Sequence, residues 1–265
     1  MRGPFAPGIW MLHVGLGAML LVGLGLHLRL EAGLMESLFT GFLLFTLPML
    51  SVLQLSLIDG DTFDRPGMYA GSAVTLVVLT VVALIVGALG PGMESMALRG
   101  APPREVAIAT GWLALGTALL FLAFLGVERV ASIEEHPLLA QLIPRTRHER
   151  RLFAGLSVVA GLGEEVVFRG FLLAVLVPAL GDPWTALLVS SLAFGVLHVY
   201  QGPWGIARTA LLGALFGVSV LLHGTLWPAV IVHVLYDWFG GLVYGPRTLP
   251  PSDSDRRGRS LDEWA

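Results

Sequence analysis

Long apolar stretches separated by short polar loops are the dominant pattern of this chain. The stretches approach the ~20 residues that an α-helix needs to cross a bilayer, whereas a membrane barrel would show short segments of alternating polarity. The pattern therefore predicts an all-α, polytopic membrane protein with about eight transmembrane helices. We place the spans near residues 8–28, 37–58, 67–90, 105–127, 152–177, 183–200, 205–222 and 225–244.

The polar segments divide the chain into four parts. Residues 1–127 form an N-terminal membrane region of four spans, which we interpret as retained because no clear cleavage site follows the first apolar run; a cleaved signal peptide is the weaker alternative. Residues 128–150 form a loop whose HPLLAQLI segment predicts a short helix lying in the membrane interface. Residues 151–244 hold the last four spans, and 245–265 form a polar tail that we expect to be disordered.

Composition supports a membrane protein and limits its chemistry. Hydrophobic residues make up 55% of the chain, charged residues only 13%, and cysteine is absent. The lack of cysteine excludes disulfides, thiolate metal ligands and a cysteine nucleophile. A net charge of -3 is too small to indicate a nucleic-acid partner, so the bilayer is the partner that the composition predicts.

The distribution of arginine predicts the orientation. With eight spans, both termini lie on the same side as the loops at 59–66, 128–151 and 201–208. That side carries twelve arginines, against three on the other side. Because positively charged loops stay in the cytoplasm, we expect cytoplasmic termini in the plasma membrane.

Ionisable side chains interrupt three of the predicted spans. A charge at the bilayer centre costs roughly 2.5 to 3.5 kcal/mol, so such residues usually face a protein interior or an aqueous cavity. The residues concerned are Glu164, Glu165, Arg169, His198, His233 and Asp237. Their occurrence within a short part of the chain favours one shared functional site.

Helical spacing suggests how these residues divide their roles. Glu165 and Arg169 are four residues apart, so they share a helix face and can form an ion pair. Glu164 is rotated from Glu165 by about 100°, which leaves its carboxylate free to act as a general base. His233 and Asp237 are also four residues apart, so the carboxylate can orient the imidazole or contact the same ligand.

The third polar face has the same spacing. His198 follows Phe194 by four residues, and buried polar faces on separate helices tend to converge. We therefore expect Glu164, His198 and His233 to lie within ~10 Å of one another, around one water molecule. Each feature also has a structural interpretation, as an ion pair between helices, an interfacial histidine or a bridge to a neighbouring backbone.

Two function classes other than an enzyme fit a membrane protein with buried charges. A transporter or proton relay would use the acids and histidines to conduct ions, but such proteins usually show repeated halves with paired broken helices. Here the ionisable residues all lie toward the C-terminal end of the chain. A non-catalytic scaffold that keeps the fold is the other alternative.

Three segments carry a resemblance to a known family. GEEVVFRGFLL (163–173), SSLAFGVLHV (190–199) and GTLWPAVIVHVLYDW (224–238) resemble the CPBP family of intramembrane proteases, which includes CAAX proteases and bacteriocin-processing enzymes. Its EExxxR, FxxxH and HxxxN or HxxxD motifs are all present and in order. The resemblance covers about 155–244 and departs from the CAAX endopeptidases at Asp237, where those enzymes have asparagine.

The resemblance implies a four-helix protease core over 151–244 that cleaves a membrane-associated or membrane-delivered protein or peptide. It implies that Glu164 activates water and that His198 positions the water or stabilises the oxyanion. Phe194 takes a supporting position in the FxxxH motif. By the same resemblance Glu165 and Arg169 form a supporting pair, whereas His233 and Asp237 complete the water or oxyanion site.

The motif residues are compatible with both a metal-dependent and a metal-free reaction. Glu164, His198 and His233 match the ligand types of several catalytic zinc sites, although the chain has no HExxH helix. We favour a metal-free reaction, because an aspartate or asparagine beside a histidine also forms an oxyanion group.

Overall fold

A computed structural model describes residues 9–30, 32–55, 64–91, 93–133 and 136–248. Every regular element in this part of the chain is helical, as the hydrophobic pattern predicts. The helices are α1 (Ile9–Leu30), α2 (Leu34–Leu55), α3 (Arg65–Leu89), α4 (Pro103–Ala131), α5 (Pro137–Leu142), α6 (147–180), α7 (Pro183–Leu197), α8 (Gly202–His223) and α9 (227–248).

The eight predicted spans correspond to the eight long helices of the described chain, and α5 confirms the short helix expected in HPLLAQLI. Five helical segments are long and apolar enough to cross a membrane, so the protein is a multi-pass membrane protein. The last helix continues to Thr248, four residues into the segment that was expected to be a disordered tail. The rest of that tail, 249–265, lies outside the described residues.

Local sequence signals explain where the helices of the C-terminal half begin. The α6 helix starts with a capping box, in which the Thr146 hydroxyl accepts from the Glu149 backbone and the Glu149 carboxylate accepts from the Thr146 backbone. The α7 helix starts at Pro183, and the Asp182 carboxylate accepts from the Thr185 backbone N–H at 2.7 Å. These caps define where α6 and α7 begin.

One end of the bundle is closed by the loop between α3 and α4. Met96 in this loop is fully buried and packs against Gly170 of α6. The Ala97 carbonyl accepts from Leu226 N at 2.9 Å, and the Thr225 hydroxyl donates to the Arg99 carbonyl at 3.1 Å. The loop therefore ties the start of α9 to α6.

At the other end, α5 is held down by side chains of α3. The Tyr69 hydroxyl donates to the Leu142 carbonyl at 2.5 Å, and Arg65 Nε donates to the Gln141 carbonyl at 2.5 Å. Arg65 Nη1 also lies 4.0 Å from Glu149 Oε1. The short helix α5 is thus attached to α3, and α3 is in turn attached to the start of α6.

The α7 helix is shorter than the predicted span at 183–200. It has 15 residues, a length of about 22 Å at ~1.5 Å per residue, whereas the hydrocarbon core is about 30 Å thick. His198 ends α7, and a 3₁₀ turn over Val199–Gln201 leads into α8. His198 therefore stands at the end of a helix that is shorter than the hydrocarbon core is thick.

Candidate active site

The EExxxR motif coincides with a change of helix type in α6. The helix is regular up to Glu164 and becomes a π-helix over Glu165–Leu172, where all eight residues are buried. Short π-helical segments inside α-helices occur frequently at functional sites. The irregularity lies just beyond Gly161 and Gly163, where a tilt or kink was expected.

Arg169 is the centre of a buried polar cluster. Its Nη1 atom lies 3.2 Å from Glu165 Oε1, which confirms the predicted ion pair. Its Nε donates to the Gly213 carbonyl at 3.3 Å, and its guanidinium carbon lies 4.2 Å from the ring centroid of Phe194. Only 1% of the Arg169 side chain is exposed, so these contacts take the place of water at Nε and Nη1, whereas Nη2 has no hydrogen-bond partner among the described residues.

The position of the Arg169 guanidinium requires a glycine at position 213 of α8. A Cβ atom built at this residue would lie 2.4 Å from Arg169 Nη2 and 3.0 Å from Phe194 Cδ1. Any larger side chain would therefore displace the arginine or the ring. No sequence signal marked Gly213 as part of the site, because its role is to leave space.

His233 lies among three carboxylates. Its Nδ1 is 2.8 Å from Glu165 Oε1, and its Nε2 is 3.6 Å from Glu164 Oε2 and 3.9 Å from Asp237 Oδ2. An ionised carboxylate can only accept, so Nδ1 carries the hydrogen that is donated to Glu165. Glu165 thus contacts Arg169 and His233 at once, a second contact that the helical spacing did not reveal.

Close packing of α6 against α9 brings Glu164 to His233. A Cβ atom at Gly161 would lie 2.6 Å from Val234 Cγ2 and 3.3 Å from the Val230 carbonyl. The two helices therefore approach closely enough for side chains to meet one turn further on.

His198 reaches the same cluster through Phe194. Its Nδ1 lies 2.9 Å from the Phe194 carbonyl, and its ring centroid is 4.8 Å from that of Phe194. The other side of the Phe194 ring approaches His233, with centroids 6.4 Å apart. Phe194 thus lies in contact with both histidines and with the guanidinium of Arg169.

Histidines outside the three motifs lie away from this cluster. His27 Nδ1 contacts the Ala32 carbonyl at 2.7 Å. His223 lines a separate groove with Glu105 and Thr225, next to the α3–α4 loop. Neither of these two histidines belongs to the candidate site.

The motif residues are not arranged as a metal site in this structure. Within the described ranges, no group of three or more histidine, cysteine, aspartate or glutamate side chains is placed to hold a metal ion. The Nδ1 atoms of His198 and His233 are both engaged in hydrogen bonds. A histidine that binds a metal through Nε2 usually donates its Nδ1–H to a carbonyl or a carboxylate, so these hydrogen bonds do not distinguish a metal site from a metal-free one.

A comparison with protein-family models matches this part of the chain. Residues 147–239 match the model described as type II CAAX prenyl endopeptidase Rce1-like. The match covers all three motifs and is consistent with their resemblance to the CPBP family of intramembrane proteases. Neither a curated protein nor a solved structure matches the chain.

Proposed function

We propose that this protein is an intramembrane endopeptidase in which Glu164 activates the hydrolytic water. One observation carries the proposal. Among the described residues, the shortest ion-pair contact of Glu164 is the one at 3.6 Å with His233, while the adjacent Glu165 is engaged by both Arg169 and His233. The Glu165 carboxylate thus makes structural contacts, whereas the Glu164 carboxylate is available for proton transfer.

The chemical step follows from this division. The Glu164 carboxylate removes a proton from water as the water oxygen bonds to the peptide carbonyl carbon, and the carbonyl π electrons move onto oxygen. The tetrahedral intermediate then collapses, the C–N bond breaks, and the leaving amine takes the proton from Glu164. His233 Nε2, 3.6 Å from Glu164, is placed to support the charge that moves during these two transfers.

His198 is suited to positioning the water. The Phe194 carbonyl can only accept, so Nδ1 of His198 carries a hydrogen, and Nε2 of the neutral ring has a lone pair. That lone pair can accept one hydrogen of the water while Glu164 accepts the other. Two acceptors on one water orient its oxygen toward the substrate carbonyl.

The substrate class and the membrane follow from the same proposal. The substrate is a membrane-associated or membrane-delivered protein or peptide, and no nucleic acid takes part. The arginine distribution supports a plasma-membrane location with both termini and α5 on the cytoplasmic side.

The function is tested with purified protein in liposomes. The probes are internally quenched peptides, one set with a farnesylated C-terminal cysteine in a CAAX sequence and one set without the lipid. We expect cleavage of at least one set, with mass spectrometry giving a single peptide bond that is broken. If both sets stay intact, and if expressing the protein changes no membrane-protein fragment in cells, the proposal is wrong.

The metal question is decided at Asp237. Without a metal, Asp237→Asn should retain activity and shift its pH optimum, because an amide donates a hydrogen bond that a carboxylate donates only when protonated. Purified active protein should contain far less than one zinc per chain, and phenanthroline should leave its activity unchanged. Stoichiometric zinc that is lost with activity, and a ~10 to 100-fold loss in Asp237→Asn, would establish the metal-dependent alternative.

A further inference from the structure

The histidine and carboxylate side chains of the three motifs supply mainly proton acceptors to the site. Nδ1 of His198 and Nδ1 of His233 are both used, toward the Phe194 carbonyl and toward Glu165. The remaining ring nitrogens accept when the rings are neutral, and ionised carboxylates only accept. An oxyanion that forms on the substrate needs a hydrogen-bond donor, typically 2.7 to 3.1 Å away.

Tyr200 is a donor that the motifs do not include. It lies in the 3₁₀ turn that follows His198, and its ring centroid is 5.8 Å from that of His198. The ring is half-buried. The turn therefore brings a phenol to the same end of the site as the histidine.

The Tyr200 hydroxyl is oriented by its neighbour Gln201. Gln201 Nε2 donates to the hydroxyl oxygen at 3.0 Å. The same amide accepts at Oε1 from Arg208 Nη2 at 3.4 Å, and because a guanidinium can only donate, this contact determines which way the amide faces. The phenol oxygen thus accepts from Gln201, and among the described residues its own hydrogen has no acceptor.

Arg208 is in turn fixed to α4. Its Nη1 lies 3.2 Å from Glu128 Oε1, which also accepts from Trp204 Nε1 at 2.7 Å. Trp204 packs edge-on against Phe124, with ring centroids 5.7 Å apart. A chain of hydrogen bonds therefore runs from α4 through Arg208 and Gln201 to the Tyr200 hydroxyl. These bonds restrict the orientation of the hydroxyl.

We propose that the Tyr200 hydroxyl donates a hydrogen bond to the substrate oxyanion, with Gln201 and Arg208 as positioning residues. This inference rests on the proposed hydrolysis. When the water oxygen bonds to the carbonyl carbon, the π electron pair moves onto the carbonyl oxygen, and the Tyr200 O–H bond points to that charge. Tyr200 keeps its proton throughout, so the water proton is still carried by Glu164 to the leaving amine.

The test compares Tyr200→Phe with Tyr244→Phe in the liposome assay with the quenched peptides. Tyr244 contacts the rings of Phe121 and Phe239, so its variant is a matched control for loss of a phenol. Tyr200→Phe should lower kcat about 10² to 10³-fold with KM within about twofold, because the lost contact exists only in the transition state. Tyr244→Phe should cleave at the wild-type rate.

A binding measurement separates an oxyanion donor from a structural residue. A C-terminal peptide aldehyde made from the cleaved sequence mimics the tetrahedral state, whereas the matching peptide amide does not. Tyr200→Phe should bind the aldehyde on the order of 10-fold more weakly and the amide as wild type does. Gln201→Ala should show the same pattern with a smaller loss.

The outcomes distinguish this inference from the proposed function. If wild-type protein cleaves none of the peptides, the proposed hydrolysis is wrong and the role of Tyr200 falls with it. If wild-type protein cleaves and Tyr200→Phe keeps its kcat or its preference for the aldehyde, only the role of Tyr200 is wrong. If Tyr200→Phe lost binding of both the amide and the aldehyde, the role of Tyr200 as an oxyanion donor would also be contradicted, because that pattern indicates a general change in structure.

Discussion

Arg169→Ala should reduce the free energy of unfolding by about 3 to 5 kcal/mol, the cost of removing one partner from a buried ion pair. The side chain is 1% exposed, and its removal leaves the fully buried Glu165 carboxylate without a cation. It also removes the guanidinium that lies 4.2 Å from the Phe194 ring centroid. Thermal unfolding in detergent should show a large decrease in Tm together with loss of activity.

Two further variants show whether the ion pair is the cause. Arg104→Ala, an exposed arginine in the first turn of α4, should change stability by less than about 0.5 kcal/mol. The double variant Glu165→Leu with Arg169→Leu should be less destabilised than the sum of the single variants, because neither charge is left alone. An Arg169→Ala protein that melts like the wild type would show that the buried pair does not hold the fold together.

Glu164→Gln should lower kcat by about 10² to 10⁴-fold, the usual contribution of a general base, with little change in stability. Glutamine has the shape of glutamate but cannot remove a proton from water. The Glu164 side chain is 16% exposed and makes only the 3.6 Å contact with His233, so the neutral amide leaves no buried charge without a partner. The peptide assay measures kcat, and unfolding in detergent measures stability.

Glu105→Gln is the matched control for this variant. Glu105 lies exposed in the first turn of α4, and its replacement should change neither cleavage nor Tm. If Glu164→Gln melts at a much lower temperature, as expected for Arg169→Ala, then Glu164 is a structural residue and the division between the two glutamates is wrong.

Sequence spacing was sufficient to predict the contacts that lie along one helix. Glu165 and Arg169, four residues apart, do form the expected pair, and Glu164 lies outside it. The overall architecture could also be predicted from the sequence. Backbone N–H and C=O groups inside a bilayer must be hydrogen-bonded within the protein, and long apolar helices achieve this. The catalytic roles of these residues remain predictions that the variants above test.

Contacts between helices could not be predicted in the same way. The second interaction of Glu165, with His233, depends on how closely α6 and α9 approach, and the small residue Gly161 sets that distance. The Arg169 site depends on the space at Gly213, which no pattern of polar residues marks. The π-helix over Glu165–Leu172 could not be predicted either, since the spacing of Glu165 and Arg169 is that of an ordinary α-helix.

The short α7 helix affects the lipid next to the protein. Its exposed side chains Trp184, Leu188 and Leu192 form an apolar stripe on a helix only 15 residues long. Lipid that matches a stripe of about 22 Å must be compressed relative to a hydrocarbon core of about 30 Å. We expect this compression to draw headgroups and the water that accompanies them toward the turn that carries His198 and Tyr200. We expect this local thinning of the bilayer to supply water to the site without a long aqueous channel through the protein. The elastic cost of the thinning per lipid is small.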